Sequence, residues 1–85
     1  MAVKAIAKIS HFTLDADDTF TITLDIESNG QGVQNVAGGQ FNGSQASAVI
    51  NAALVASAKQ YAIDNMGATF GLGDTARLID GVNLI

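Results

Sequence analysis

Apolar and polar residues alternate most cleanly between Thr19 and Glu27. Phe20, Ile22, Leu24 and Ile26 take one side; Thr19, Thr21, Thr23, Asp25 and Glu27 take the other. A period of two marks a strand with one face buried. Val3 to Ile9 alternates as well, with Val3, Ala5, Ala7 and Ile9 opposite Lys4, Ile6 and Lys8. After Ser10 and His11 the apolar parity moves to Phe12 and Leu14. An inserted residue exchanges the two faces of a strand, so a bulge or bend is predicted near residues 10 and 11. Asp15-Ala16-Asp17-Asp18 reads as a tight turn, because Asp bonds its own backbone and tolerates turn geometry. The two strands on either side of it are expected to pair as an antiparallel hairpin.

The period changes between Ser44 and Met66. Seven alanines (46, 48, 52, 53, 56, 58 and 62) give this run high helix propensity, since Ala loses no side-chain entropy on entering a helix. Two starts are readable: Asn42 as cap with Gln45 reaching back, or Ser44 as cap. Gly67 is a natural residue to close the far end at positive φ. Val49, Ala53, Ala56 and Ile63 fall on one side, with Ile50, Leu54, Ala58 and Tyr61 close by; Val55, Ala62 and Met66 widen the surface again. The only charges are Lys59 and Asp64. A helix lying on a soluble domain usually shows a charged outer face. Cover on more than one side is therefore expected, and in so short a chain the second cover would be another subunit. The plainer alternative is that small alanine side chains leave little apolar surface to cover.

The rest of the chain is punctuated by glycine. Asn29-Gly30 and Gly32 mark a turn, Val33 to Ala37 has the composition of a short strand, and Gly38-Gly39 leads to the helix through Gln40 and Phe41. Ser28 to Gly43 is thus read as a polar loop suited to serve as a contact arm. Gly67 to Asp74 is a turn-rich connector. Thr75 to Ile79 and Val82 to Ile85 follow as short strands hinged at Asp80-Gly81. The last two residues, Leu84 and Ile85, are apolar and are expected to be docked.

Length and composition narrow the classes. Eighty-five residues support one domain, residues 1–85, with a core of marginal size. There is no cysteine, which removes thiol, disulfide and Cys-zinc chemistry. Eight acidic against four scattered basic residues (Lys4, Lys8, Lys59, Arg77) give a net charge of −4, which argues against a nucleic-acid surface. Lys4 and Lys8 interrupt any secretory h-region, and the uncharged stretch from Ser28 to Ala58 is too broken by Gly, Asn and Gln to span a membrane. A soluble protein with no membrane partner is expected.

Few residues suggest chemistry. Asp15, Asp17 and Asp18 invite a calcium reading, but an EF-hand loop from Asp15 needs Gly and Glu where the chain has Phe20 and Ile26. A solvated turn is the simpler reading. Gly71-Leu72-Gly73-Asp74-Thr75-Ala76 has dinucleotide-loop spacing but follows a helix, not a strand, and reads as connector glycine. Asp25 and Glu27 lie about 7 Å apart along one strand face, near the carboxylate separation of inverting glycosidases, yet acids are ordinary on an exposed strand face. His11 is the single histidine and reads as a bulge residue. Asn42-Gly43-Ser44 matches a glycosylation sequon and is better explained as helix-cap sequence. No catalytic, cofactor-binding or metal-ligating residue is assigned, and no cofactor is expected.

These elements predict an α+β domain of order β-β-α-β. One long Ala-rich helix packs on one face of a small, mostly antiparallel sheet, with room for extra short strands after Gly32 and after Gly81. The expected core is Phe20, Ile22, Leu24, Ile26, Val49, Leu54, Ile63 and Leu78. The chain resembles small virion proteins of tailed bacteriophages. The features that carry the resemblance are the Cys-free and Pro-free composition, the Thr-rich hairpin FTLDADDTFTITLDIES, the Ala-rich helix and the apolar C-terminus. That resemblance implies a non-enzymatic structural role in the virion: a capsid decoration or minor capsid subunit, with tail or connector positions also open. Its partners would be copies of itself or a larger structural assembly. The rival reading is a small cytoplasmic binding or regulatory module, dimeric or not; a small enzyme ranks third.

Overall fold

The computed structural model describes residues 2–81. Its order is β1 (Val3–Leu14), β2 (Thr19–Ser28), β3 (Gln34–Asn42), α1 (Ser47–Asn65) and β4 (Thr75–Ile79). The strands form one sheet in the order β3-β2-β1-β4. β1 and β3 flank β2 antiparallel, while β4 runs parallel to β1. The α+β class stands. The order is corrected from β-β-α-β to β-β-β-α-β, and the mostly antiparallel sheet to a mixed one. A second expected strand, Val82 to Ile85, and the apolar end at Leu84 and Ile85 lie outside the described residues.

The β1–β2 hairpin forms as the alternation requires. Asp17 takes φ 53°, and Thr19 closes the turn through its N–H (3.0 Å) and hydroxyl (2.8 Å), both donating to Ala16 C=O. The register slips between Ile9 and His11, where the parity change predicts a bulge. As a result Ala5 and Ala7 share the covered face with Phe12, whose ring stacks on Phe20 at 4.6 Å between centroids.

The loop reading of Ser28 to Gly43 is corrected in part: the short strand read at Val33 to Ala37 is present but runs further, as β3 through Gly38 and Gly39 to Asn42. Two glycines in a polar run resemble a linker, but here they serve close packing. The β2–β3 register shifts so that Gly38 is an extra residue between Ala37 and Gly39. A Cβ at Gly38 would lie 2.9 Å from Leu54 Cδ2 and 3.0 Å from Leu24 Cγ, so only glycine lets the helix come this near. Ser57 Oγ adds a bond to Gly38 C=O at 3.2 Å.

The helix starts later than either predicted cap. Asn42 and Gln45 do bond reciprocally, through Gln45 Oε1 to Asn42 N–H (2.9 Å) and Gln45 N–H to Asn42 C=O (3.1 Å). That pair closes a turn ahead of the helix. Ala46 occupies the cap position without a side-chain cap bond. At the far end Gly67 takes φ 70°, and Ala68 N–H reaches back to Ala62 C=O (3.1 Å). Two amides from the β2–β3 turn, Asn29 Nδ2 (2.9 Å) and Gln31 Nε2 (2.7 Å), donate to Met66 C=O. The turn thereby satisfies a carbonyl that the helix cannot pair itself.

The chain then returns along the sheet in the direction of β1. Asp74 fixes the start of β4: its carboxylate accepts Gly71 N–H (2.7 Å) and Ala2 N–H (3.2 Å), while Thr75 N–H donates to Ala2 C=O (2.8 Å). The Gly71 amide chiefly holds the Asp74 carboxyl below its ordinary pKa.

Phe20, Ile22, Leu24, Ile26 and Leu54 are buried as expected, and Leu78 packs half-buried against them. Val49 and Ile63 are corrected: they are 56% and 39% exposed. The helix turns Ile50, Leu54, Ala58 and Ala62 to the sheet instead. Each helical step rotates by about 100°, so choosing Ile50 over its neighbour Val49 swings the whole Val49–Ile63 row outward.

Candidate functional site

Among the described residues, two broad surfaces lie outside the core: the outward side of the helix and the uncovered side of the sheet. They differ in chemistry. On the helix, Val49, Ala52, Ala56 and Ile63 are all exposed. Val49, Ala56 and Ile63 are spaced by sevens, about two turns, so they align along the side directed away from the sheet. The polar residues beside this row are turned aside. Lys59 places its ammonium 5.2 Å from the centre of the Phe70 ring, and Gln60 Nε2 donates to Asp64 Oδ1 at 2.9 Å. What remains in the middle is a strip of methyl groups. The core demands only the row facing the sheet, so this second apolar row is unexplained by folding.

The open side of the sheet is mostly polar and internally bonded, with Ile6 exposed on β1 between Lys4 and Lys8. Asn35 on β3 reaches over β2, its Nδ2 donating to Asp25 Oδ1 (2.8 Å) and to Ser10 Oγ on β1 (2.7 Å). Ser10 and Thr23 share a further hydroxyl bond at 3.1 Å. At the hairpin end, Asp15 Oδ2 accepts from Thr21 Oγ1 (2.6 Å) and Gln40 Nε2 (3.1 Å). The Thr21 hydroxyl, then the Gln40 amide, hold the Asp15 carboxyl below its ordinary pKa. The bulge residue Ser10 is what joins β1 to this lattice.

The residues singled out in the sequence do not converge. Asp15 is bound into the lattice, Asp17 occupies the left-handed corner of the turn, and Asp18 C=O accepts Gly43 N–H (2.9 Å). No three His, Asp or Glu residues among those described form a cation site. Asp25 is tied to Asn35, whereas Glu27 and His11 are exposed on the same sheet. Asn42 holds Ser44 through its own Oδ1, which accepts both the Ser44 N–H (3.1 Å) and its hydroxyl. Gly71 to Asp74 is connector, as read. An open groove of about 500 Å³ runs between the helix and β4, lined by Val3, Asn51, Val55, Arg77, Leu78 and Gly81 among others.

The residues that stand out functionally, Val49 and Ile63, were assigned to the core from sequence. The signal that separates them is the spacing of sevens through Ala56, set one residue out of step with the larger row Ile50, Leu54 and Tyr61. The chain matches no protein-family model, no curated protein and no solved structure at a significant level. No described helix is long and apolar enough to cross a membrane.

Proposed function

We propose that this protein is a non-enzymatic assembly subunit whose outward helix face is covered by protein in its working state. The supporting observation is the exposed row Val49, Ala52, Ala56 and Ile63, with its neighbouring polar groups engaged elsewhere. Leaving such a strip in water forgoes roughly 25 cal/mol for each Å² of apolar surface that a partner would bury. The resemblance to small phage virion proteins gives the role its concrete form: a capsid decoration or minor capsid subunit, held in place by protein contacts. Light scattering on the isolated chain, combined with mass spectrometry of purified particles, tests this. Self-association, or recovery in a particle at fixed stoichiometry, is expected. A strictly monomeric chain that is absent from particles would overturn the proposal.

The second reading, a small cytoplasmic binding or regulatory module, draws on the open sheet face. Asp15, Thr21, Asp25, Asn35 and Gln40 are held in fixed positions there, and prearranged polar groups lower the cost of binding a polar partner. Recovery of the chain in the cytoplasm as a monomer or dimer, with none in particles, would favour it.

A further inference from the structure

We infer that Asn29 is a site of spontaneous deamidation gated by the helix cap, and that its conversion to a carboxylate irreversibly releases the β2–β3 turn from the end of the helix. This goes beyond the assembly reading and does not depend on it.

The chain contains two Asn-Gly pairs, Asn29-Gly30 and Asn42-Gly43. Both are exposed. In such a pair the glycine nitrogen can attack the asparagine Cγ, because no side chain on glycine hinders the approach. A C–N bond forms, the Cγ–Nδ2 bond breaks, and ammonia leaves with the glycine proton. Water then opens the resulting cyclic imide at either carbonyl, leaving aspartate or its backbone-extended isomer. The step needs no enzyme and no cofactor.

The structure separates the two pairs. Gly43 N–H donates to Asp18 C=O at 2.9 Å, beside the last paired residues of β2 and β3, which ties up the attacking nitrogen. Asn42 is held further by Gln45, at its N–H (2.9 Å) and its C=O (3.1 Å), and by Ser44 at its Oδ1. Reaction there requires the strand end and the turn before the helix to come apart together. Gly30 N–H, by contrast, has no acceptor among the described residues. Its turn is closed by the backbone bond from Gln31 N–H to Ser28 C=O at 3.0 Å. Asn29 and Gly30 take φ 55° and 70°, and the Asn29 amide is engaged on Met66 C=O at 2.9 Å. Ring closure brings Gly30 N onto Asn29 Cγ, which the left-handed backbone and the bound amide both oppose, so the latch must let go first. An exposed turn of this kind opens at smaller cost than paired strands.

The product cannot be latched again in the same way. The Asn29 Nδ2 donor becomes an oxygen, and Met66 C=O offers only an acceptor. A carboxylate also sits unfavourably at a helix C-terminus, where the dipole is negative. The isomer adds a backbone atom to a turn whose residues 29 and 30 are fixed at positive φ. Met66 and Ala68 are buried, so a loosened cap reaches the covered face directly.

Peptide mapping by mass spectrometry on the full chain, incubated in mildly alkaline buffer, tests this. Asn29 should convert about tenfold faster than Asn42 or more. In concentrated urea the two should convert at similar rates, because the difference is structural. Gln31→Ala removes the other side-chain donor to Met66 C=O. It should speed conversion of Asn29 about fivefold and leave Asn42 unchanged, with thermal unfolding confirming that the variant stays folded. Asn29→Asp should lower the thermal midpoint and hasten hydrogen exchange at Ala68 N–H. Equal or faster conversion at Asn42, or the same rate difference in urea, would overturn the assignment of the site. An unaltered Asn29 rate in Gln31→Ala would overturn the gate. A parent-like thermal midpoint and Ala68 exchange in Asn29→Asp would overturn the release.

Discussion

The two faces of the sheet are made from alternate residues of the same strands, yet different forces hold them. Toward the helix, Ile22, Leu24 and Ile26 are fully buried against Ile50, Leu54 and Ala58. Away from it, Thr21, Thr23 and Asp25 are half-exposed and tied to Asp15, Ser10 and Asn35 by side-chain hydrogen bonds. Burying an aliphatic side chain contributes about 1.5–3 kcal/mol. A hydrogen bond that water can replace contributes about 0.5–1.5 kcal/mol. The covered face therefore carries most of the stability, and the open face mainly fixes positions. Evolution or design can alter the open face at small cost, which makes it the permissive side of the molecule.

Neighbouring substitutions on β2 test this contrast most strongly. Leu24→Ala removes a fully buried side chain and should cost about 2–5 kcal/mol in urea or guanidinium unfolding. Thr23→Ala, one residue along, loses one exposed hydroxyl bond to Ser10 and should cost about 0.5 kcal/mol. Equal, large losses would mean that the open face is also covered in solution, and would move the interface from the helix to the sheet.

A smaller effect is expected where strand and helix come closest. In Gly38→Ala the new methyl must displace Leu54 and Leu24, whose atoms stand 2.9 Å and 3.0 Å from its position. Overpacking of this kind costs about 1–3 kcal/mol, read as a lower denaturation midpoint. A neutral result would show that the helix can rise off β3 without loss, which would weaken the claim that the covered face is tightly packed.

The smallest effect lies on the open face and depends on pH. Hydrogen bonds from Thr21 and Gln40 hold Asp15 below its ordinary value of 3.8 in the folded protein. Their stabilisation is therefore complete above that ordinary value and is lost as pH falls through the lower folded-state value. Asp15→Asn should slightly lower stability near pH 7, leave it unchanged at the acid end, and so flatten the acid limb of a stability–pH curve. A variant whose whole curve drops evenly would show that Asp15 acts through packing and not through its charge.

Much of this architecture was legible in the chain. The alternation from Thr19 to Glu27 determined both the strand and which side faces inward, because a period of two leaves one consistent burial pattern. The parity change after Ile9 located the bulge for the same reason, and the aspartates located the hairpin turn. Alanine content and Gly67 located the body and the end of the helix. The start of β3 was legible in Val33 to Ala37, but its continuation was hidden because Gly38 and Gly39 have the local propensity of a loop. Only the approach of Leu54 explains why glycine is needed within a strand. The helix cap at Met66 was hidden as well, since it is supplied by Asn29 and Gln31 from a distant turn.

For function, the sequence alone determined the low charge of the helix and the apolar character of both its sides, and so raised the expectation of a second cover. It left undecided which row faces the sheet. Val49 and Ile50 are adjacent and both apolar, and local propensity is nearly indifferent to a rotation of about 100°. Tertiary packing decided it: the sheet takes the row with Ile50, Leu54, Ala58 and Ala62, the helix settles onto Gly38, and Val49, Ala56 and Ile63 are left outside. The parallel pairing of β4 with β1 was decided in the same way. A helix that reverses the direction of β3 must be followed by a strand running with β1, and β2 and β3 already occupy the other side of β1.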